Sequence, residues 1–299
     1  MIDRDLIARL RRIEIKTSRL ANQEMAGQYR SVFKGRGMSF EEVRPYQAGD
    51  DVRVIDWNVS ARTGELFIKV FVEERELTVF LLLDMSASAN FGTRGSLRRE
   101  LIAEVAAVHA FSAIKNNDRV GLFIFTDKVA HFVPPKKGRT HVLRVIRDIL
   151  EFDAPRSGIS ATGIPDAVKY LMNITKKRSV AVLLSDFFIS PDEIPGVKRA
   201  LSVAAQRHDF VAYVTRDKAD EELPVGGLMT LENLEGGGLH VVDSSSRKVR
   251  QRFRRAAQED RANVESLLKR LSIDYEVLWT QQDYIPAVNR LFSRRARRF

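Results

Sequence analysis

Three side chains, Asp84, Ser86 and Ser88, follow the apolar run Val79–Leu83 at a spacing of two. Two further oxygen-bearing residues stand in comparable places, Thr162 in the stretch ISATG and Asp186 directly after SVAVLLS. Two carboxylates and three hydroxyls, with neither imidazole nor thiolate among them, form a set of hard donors that suits Mg²⁺, Mn²⁺ or Ca²⁺ rather than Zn²⁺. Hydroxyls are neutral ligands, so a metal held this way keeps positive charge and attracts a carboxylate from another molecule. Hydrolytic chemistry fits poorly. No G-x-S-x-G elbow surrounds Ser86 or Ser88, and an aspartyl nucleophile would want a second carboxylate where Ser86 stands. The glycines of GRGMSF lack the G-K-[ST] of a phosphate-binding loop, so these residues imply a non-enzymatic role. The competing reading of an Asp and Ser after a strand is a turn or helix cap.

To bring these residues together the chain needs a parallel sheet. An unbroken apolar strand such as Val79–Leu83 belongs in the middle of a sheet covered on both faces, and from Leu77 onward strands and helices alternate. Apolar spacing places strands at 119–125, 179–184, 210–214 and 275–279, with a short edge strand at 129–133 ended by Pro134 and Pro135. Helices are expected at 97–115, 140–152, 165–176, 192–206, 247–271 and 285–299, and a hairpin at 228–242. The fold class is therefore α/β, with a doubly wound, mostly parallel sheet. Ligands in such folds sit beyond the carboxyl ends of the strands where strand order reverses. If 79–83 and 179–184 are neighbours at that point, the loops carrying Asp84, Ser86, Ser88, Thr162 and Asp186 converge.

The pattern DMSAS resembles the D-x-S-x-S of von Willebrand factor type A domains, whose metal-ion-dependent adhesion site is completed by a Thr and an Asp in later loops. That resemblance implies direct metal binding by Ser86 and Ser88, joined by Thr162, with Asp84 and Asp186 acting directly or through water. Ser160-Ala161 replaces the usual Gly-Gly before the Thr, and Phe187 stands where a Gly usually follows the Asp. Upstream, RPYQAGDDVRVIDWNVSARTGELFIKVFVEE resembles the bacterial family catalogued as domain of unknown function 58, in which this block precedes a type A domain. The resemblance covers roughly Phe33 to Phe299 and implies an adaptor working beside a MoxR-type AAA+ ATPase, with an acidic residue of the partner completing the metal site. Many relatives carry membrane-spanning helices ahead of the block.

Residues 1–75 read as an extension preceding a type A-like domain at 76–299: a helix over 1–30, then a β and loop subdomain with a turn at Pro45 and Gly49 and a strand near 66–72. Arg44, Asp50, Asp51, Arg53, Asp56 and Arg62 read as an ion-pair lattice, and Trp57 as a core anchor. The chain has no Cys, which excludes disulfides and thiolate sites. No stretch approaches the roughly 20 apolar residues of a membrane span, and the expectation is a cytoplasmic protein. With 49 Lys+Arg against 39 Asp+Glu the formal charge is +10, so the rival reading is a nucleic-acid-binding or peripheral membrane protein acting through the basic run at 290–298. That run has no interleaved aromatics to stack bases, which argues against nucleic acid, whereas contact with anionic lipid remains open to it. The five His residues are scattered without ligand spacing.

Overall fold

A computed structural model describes residues 10–17, 29, 39–72, 76–93, 97–153, 162–232 and 238–297. The chain divides into two compact units, Lys34–Leu77 and the remainder. The smaller unit begins with β1 (Ser39–Pro45), which pairs antiparallel with β2 (Phe67–Val72). Between them lies the short helix α1 (Trp57–Thr63). Asp56 caps it, accepting from the amides of Asn58 and Val59, and Gly64 ends it at φ 78°, a left-handed conformation that glycine adopts without a Cβ clash. Arg44 grips Asp50 through two bonds of 2.8 Å, and Arg53 holds Asp51 through bonds of 3.1 Å from Nε and 2.8 Å from Nη2. Trp57 departs from expectation: at the first position of α1 its side chain is 67% exposed, and among the described residues of this unit the buried apolar side chains are Ile55 and Ile68.

The larger unit is built on a six-stranded sheet in the order β10-β7-β6-β3-β4-β5. These strands are β3 (Thr78–Asp84), β4 (Arg119–Phe125), β5 (Val129–Lys136), β6 (Val180–Ser185), β7 (Asp209–Arg216) and β10 (Asp274–Trp279). Every pairing is parallel except β4 with β5. A separate hairpin, β8 (Leu228–Glu232) with β9 (Leu239–Asp243), lies outside that sheet. β5 runs on through Pro134 and Pro135, past the expected end. An edge strand tolerates missing amide donors, and the prolines fall where the register slips between Val120 and Leu122. Opposite them only a glycine fits, because a Cβ on Gly121 would stand 2.8 Å from the Phe80 ring.

Period-two alternation divides β3 between two layers. Phe80 and Leu82 join a core with Ile164 and Leu171 of α4 (Ile164–Ile174), Val197 and Leu201 of α5 (Ile194–Arg207), and Leu268 of α7 (Arg247–Arg270). α2 (Arg98–Lys115) packs on β3, β4 and β7, and is buried almost throughout its length. α3 (Arg139–Glu151) packs on α2, the short α6 (Lys218–Glu221) follows β7, and α8 (Ile285–Ala296) packs on β10. Each fully buried Leu, Ile, Val or Phe contributes about 1.5–3 kcal/mol, so the strands Val79–Leu83 and Val180–Leu184, with almost no exposed surface, anchor the sheet centre.

Within 1–33, which groups with the larger unit, residues 10–17 are helical. Ile13, Thr17 and Tyr29 are buried, Ile15 is exposed, and the Tyr29 hydroxyl donates to Asp118 at 3.0 Å. The rest of the expected N-terminal helix lies outside the described residues.

Candidate metal-binding site

β3 has β4 and then β5 on one side and β6 and then β7 on the other, so the order of successive strands reverses across it and the switch point falls at Asp84. In the parallel register Leu83 faces Leu184, which sets Asp84 beside Ser185 and brings Asp186 to the next position. The Ser185 hydroxyl donates to Asp84 Oδ2 at 2.7 Å, and the Ser86 amide to Oδ1 at 3.2 Å. Burial, and then the negative charge of Asp186, push the Asp84 carboxyl up to about 7, against the pull of those hydrogen bonds. Two carboxylates are thus crowded at the ends of neighbouring strands.

Beyond β3 the chain tightens into a 3₁₀ turn over Ala87–Asn90, which brings residues two apart within reach: Ser86 Oγ and Ser88 Oγ lie 2.9 Å from each other. Asp186 Oδ1 accepts from the Phe188 amide at 3.2 Å. Phe187, between them, has φ 53°, a left-handed backbone where glycine would be free of strain. The cost, on the order of 1 kcal/mol, is offset by burial of its ring in the core. The departure from the usual glycine is therefore accommodated without changing the backbone conformation that a glycine would supply.

Thr162 lies at the same end of the sheet. A Cβ on the adjacent Gly163 would come within 2.2 Å of the Thr126 carbonyl, just beyond β4, so the loop presses against the strand end beside Asp84. The Thr162 amide donates to Glu193 Oε1 at 2.8 Å, and its Oγ1 accepts from Ile164 at 3.5 Å. Among the described residues no hydrogen bond joins it to Asp84, Ser86 or Ser88. Ser160 and Ala161 lie outside the described residues. The structure thus gathers Asp84, Ser86, Ser88 and Asp186 tightly, and places Thr162 at the rim.

The residue that sequence reasoning missed is Arg98. Its side chain is 1% exposed. Nη1 donates to Asp186 Oδ2 and to the Ser88 carbonyl, both at 2.9 Å, and Nη2 donates to Asp220 Oδ2 at 2.6 Å. A signal existed: Arg98 opens α2, where a cation opposes the helix dipole, so a conspicuous Arg-Arg in a first turn calls for carboxylates nearby. Removing one member of such a buried pair typically costs about 3–5 kcal/mol. Arg216 is equally buried, lies 4.5 Å over the Phe188 ring, and leaves Nε and Nη2 without hydrogen-bond partners. Burial lowers its pKa, while Asp186 and Asp220 oppose that shift. A cavity of about 500 Å³ opens beside these groups, bordered by Ser88, Arg98, Phe188, Arg216 and Phe253.

The donor chemistry fits a hard cation. Carboxylates crowded enough to raise the Asp84 pKa, with two hydroxyls facing each other, are relieved by positive charge, and the set of Asp84, Ser86, Ser88 and Asp186 could hold it with Thr162 at the rim. Among the described residues no group of three or more His, Cys, Asp and Glu is disposed around a common metal position. Any cation here must therefore rely on hydroxyls and water beside two carboxylates.

The basic C-terminal run is largely engaged in ion pairs. Arg290 and Arg294 each lie 3.2 Å from Glu276, and the buried Arg295 pairs with Asp209 and Asp274. A second dense basic run escaped the sequence reading: Arg247, Lys248, Arg252, Arg254 and Arg255 are exposed on the first half of α7. His109 is buried against the Tyr213 hydroxyl at 2.9 Å, which gives it a place in the core.

Comparison with known proteins bears on the family and not on the site. The family described as protein of unknown function DUF58 matches residues 42–263. The uncharacterized protein Rv1480 of Mycobacterium tuberculosis (strain ATCC 25618 / H37Rv) is 30% identical over 295 residues, covering 99% of this chain and 91% of its own. The uncharacterized protein YeaD of Bacillus subtilis (strain 168) is 32% identical over 107 residues, 36% of this chain and 25% of its own. Among solved structures, the conserved hypothetical protein BatB from Bacteroides thetaiotaomicron is similar at 13% identity and TM-score 0.46, covering 74% of this chain and 99% of that one. A von Willebrand factor type A protein from Catenulispora acidiphila is similar at 10% identity and TM-score 0.38, covering 77% of this chain and 43% of that one.

Proposed function

The chain belongs to the DUF58 family, and on that premise we propose that it is a non-enzymatic, metal-dependent protein-interaction module. In this reading a divalent cation, Mg²⁺ or Mn²⁺, is held by Asp84, Ser86, Ser88, Thr162 and Asp186. The observation that carries it is the meeting of Asp84 and Asp186 at adjacent strand ends, beside two hydroxyls 2.9 Å apart, with Asp84 pushed up to about 7. Mg²⁺ takes six oxygens in near-octahedral order and normally keeps water, so a site made of hydroxyls and two carboxylates retains an exchangeable position. An Asp or Glu of a partner takes that position. The partner that the family resemblance implies is a MoxR-type AAA+ ATPase, with the module acting beside it in the cytoplasm. Among the described residues no helix is long and apolar enough to cross a membrane. The C-terminal arginines, being engaged with Glu276, Asp209 and Asp274, lend little support to the rival reading through that tail.

The test is calorimetry with Mg²⁺ and Mn²⁺, followed by pull-down of the ATPase with and without chelator at fixed ionic strength. Wild type is expected to bind metal at least about tenfold more tightly than a Ser86→Ala, Ser88→Ala double variant. Chelation is expected to release the partner while circular dichroism remains unchanged. Equal metal affinity in the two proteins would remove the site.

A further inference from the structure

We propose that Arg98 is a built-in cation that competes with the divalent metal for Asp186, so that metal loading requires the guanidinium to leave Asp186 and settle on Asp220. The inference rests on the metal-site reading above. Arg98 is placed for both states at once. Its Nη1 is shared between Asp186 Oδ2 and the Ser88 carbonyl, while Nη2 already holds Asp220. Asp220 is a fixed second seat, because the same Oδ2 accepts from the Asp217 amide at 2.7 Å and the residue is clamped in the first turn of α6. The arrangement joins three elements distant in the chain, α2, the end of β6 and α6, around one positive charge.

Two consequences of the guanidinium oppose each other. Its charge lies against a proposed metal ligand and disfavours a second cation, whereas its bond to the Ser88 carbonyl steadies the turn that carries two more ligands. The first effect outweighs the second, because the turn is independently closed by backbone bonds: Ala89 to the Ser86 carbonyl at 2.9 Å, Phe91 to Ser88 at 3.0 Å, and Arg98 to Phe91 at 3.1 Å. None of these needs the Arg98 side chain. Electrostatic repulsion between charges a few ångströms apart in a buried site is worth more than one decade in an equilibrium constant. Arg98 therefore sets the affinity low, and the metal binds under conditions that supply it amply or when a partner's carboxylate adds to the site.

The experiment is Mn²⁺ titration by calorimetry and electron paramagnetic resonance on the full chain and its variants. Arg98→Gln is expected to bind Mn²⁺ about tenfold or more tightly than wild type, and Arg98→Lys, which keeps the charge, to stay within about threefold. Asp220→Asn removes the second seat and is expected to weaken Mn²⁺ binding about fivefold, but to change little in the Arg98→Gln background. Glu221→Gln, a neighbouring carboxylate paired with Arg261 instead, is the control and should leave affinity unchanged. Because Arg98→Gln removes the ion-pair partner of Asp186 and Asp220 and leaves Arg216 as the remaining buried cation near them, its melting temperature without metal falls, and Mn²⁺ should raise it more than it raises that of wild type. Equal or weaker Mn²⁺ binding by folded Arg98→Gln overturns the built-in cation while the metal site stands. No binding by any of these proteins overturns both. If Arg98→Gln does not fold, unchanged affinity in Asp220→Asn overturns the proposal and the fivefold loss with an unchanged Glu221→Gln supports it.

Discussion

Two buried aspartates stand at the same carboxyl end of the same sheet, and they are treated oppositely. Asp217, just after β7, is fully buried, and its carboxylate accepts from the Thr93 amide at 3.0 Å, the Thr93 hydroxyl at 2.8 Å, the Ala219 amide at 2.9 Å, the Thr280 hydroxyl at 2.5 Å and Gln281 at 2.7 Å. Burial alone would raise its pKa, but those donors hold it below the ordinary carboxylate range. Asp84, at the end of β3, has the Ser185 hydroxyl and the Ser86 amide, with a second carboxylate nearby, and is pushed up to about 7. A buried charge satisfied by protein donors is structural, tying the loop after β3 to the ends of β7 and β10. A buried charge left short of donors and crowded by its own sign is a place for a cation from elsewhere.

The largest effect should come from breaking the satisfied side. Asp217→Ala strands at least two hydroxyls, two amides and a carboxamide in or near the interior, and is expected to destabilise the fold by about 3–5 kcal/mol, measured by urea unfolding. Added Mg²⁺ should not restore that loss. Full rescue by metal would mean that Asp217, and not Asp84, belongs to the cation site.

Acid titration sharpens the contrast, because the two groups act with opposite sign. The folded-state pKa of Asp84 lies above its unfolded value, so its contribution to stability is fully present below about pH 4 and is lost as pH rises through about 7. Asp217, with a lowered pKa, contributes above the unfolded value and loses that contribution as pH falls through its folded one. Between pH 5 and 8 the Asp84 dependence runs against that of the buried His109 and His208, whose pKa values burial lowers to about 3 and about 4, so that they add stability as pH rises through the unfolded imidazole value. Relative to Asp84→Asn, metal-free wild type is therefore expected to lose on the order of 1–3 kcal/mol across that interval, and saturating Mg²⁺ should remove the difference in slope. An unchanged slope in Asp84→Asn would assign the dependence to another group.

The smallest effect is expected from Ser185→Ala, which removes one donor from Asp84 and the acceptor of the Phe187 amide, at 3.0 Å. By urea unfolding the metal-free protein should lose about 1 kcal/mol, and because the Ser185 bond lowers the Asp84 pKa, the Asp84-dependent loss should extend to higher pH, with the fold intact by circular dichroism.

Much of the larger unit was legible from local pattern. The Arg119–Phe125 strand has the expected limits, and α2, α3, α4, α5 and α7 lie within two residues of theirs. Such elements are long and periodic, and burial of an apolar face decides them locally. The turn expected at Pro45 and Gly49 is present, with the Asp50 amide donating to the Gln47 carbonyl at 3.0 Å and Gly49 at φ 110°, but the strand β1 before it carries no clear alternation and was not assigned; Trp57 was read as core because aromatic size outweighed its position directly after the cap Asp56. Neither error could be corrected from spacing.

By itself the sequence determined the apolar centre of β3, the carboxylate at its end and the two hydroxyls in phase behind it, because strand burial and a two-residue spacing are local properties. Through the alternation of strands and helices it also indicated a parallel sheet, in which the end of β6 lies beside that triplet if the strands take the doubly wound order. Only the tertiary structure decided that Arg98 reaches across 88 positions to Asp186 and across 122 to Asp220, that Thr93 reaches across 124 to Asp217, and that Phe187 takes a left-handed backbone. These are set by strand order and register, which bring distant loops to one end of the sheet, and a local window of sequence contains neither the partner nor the distance.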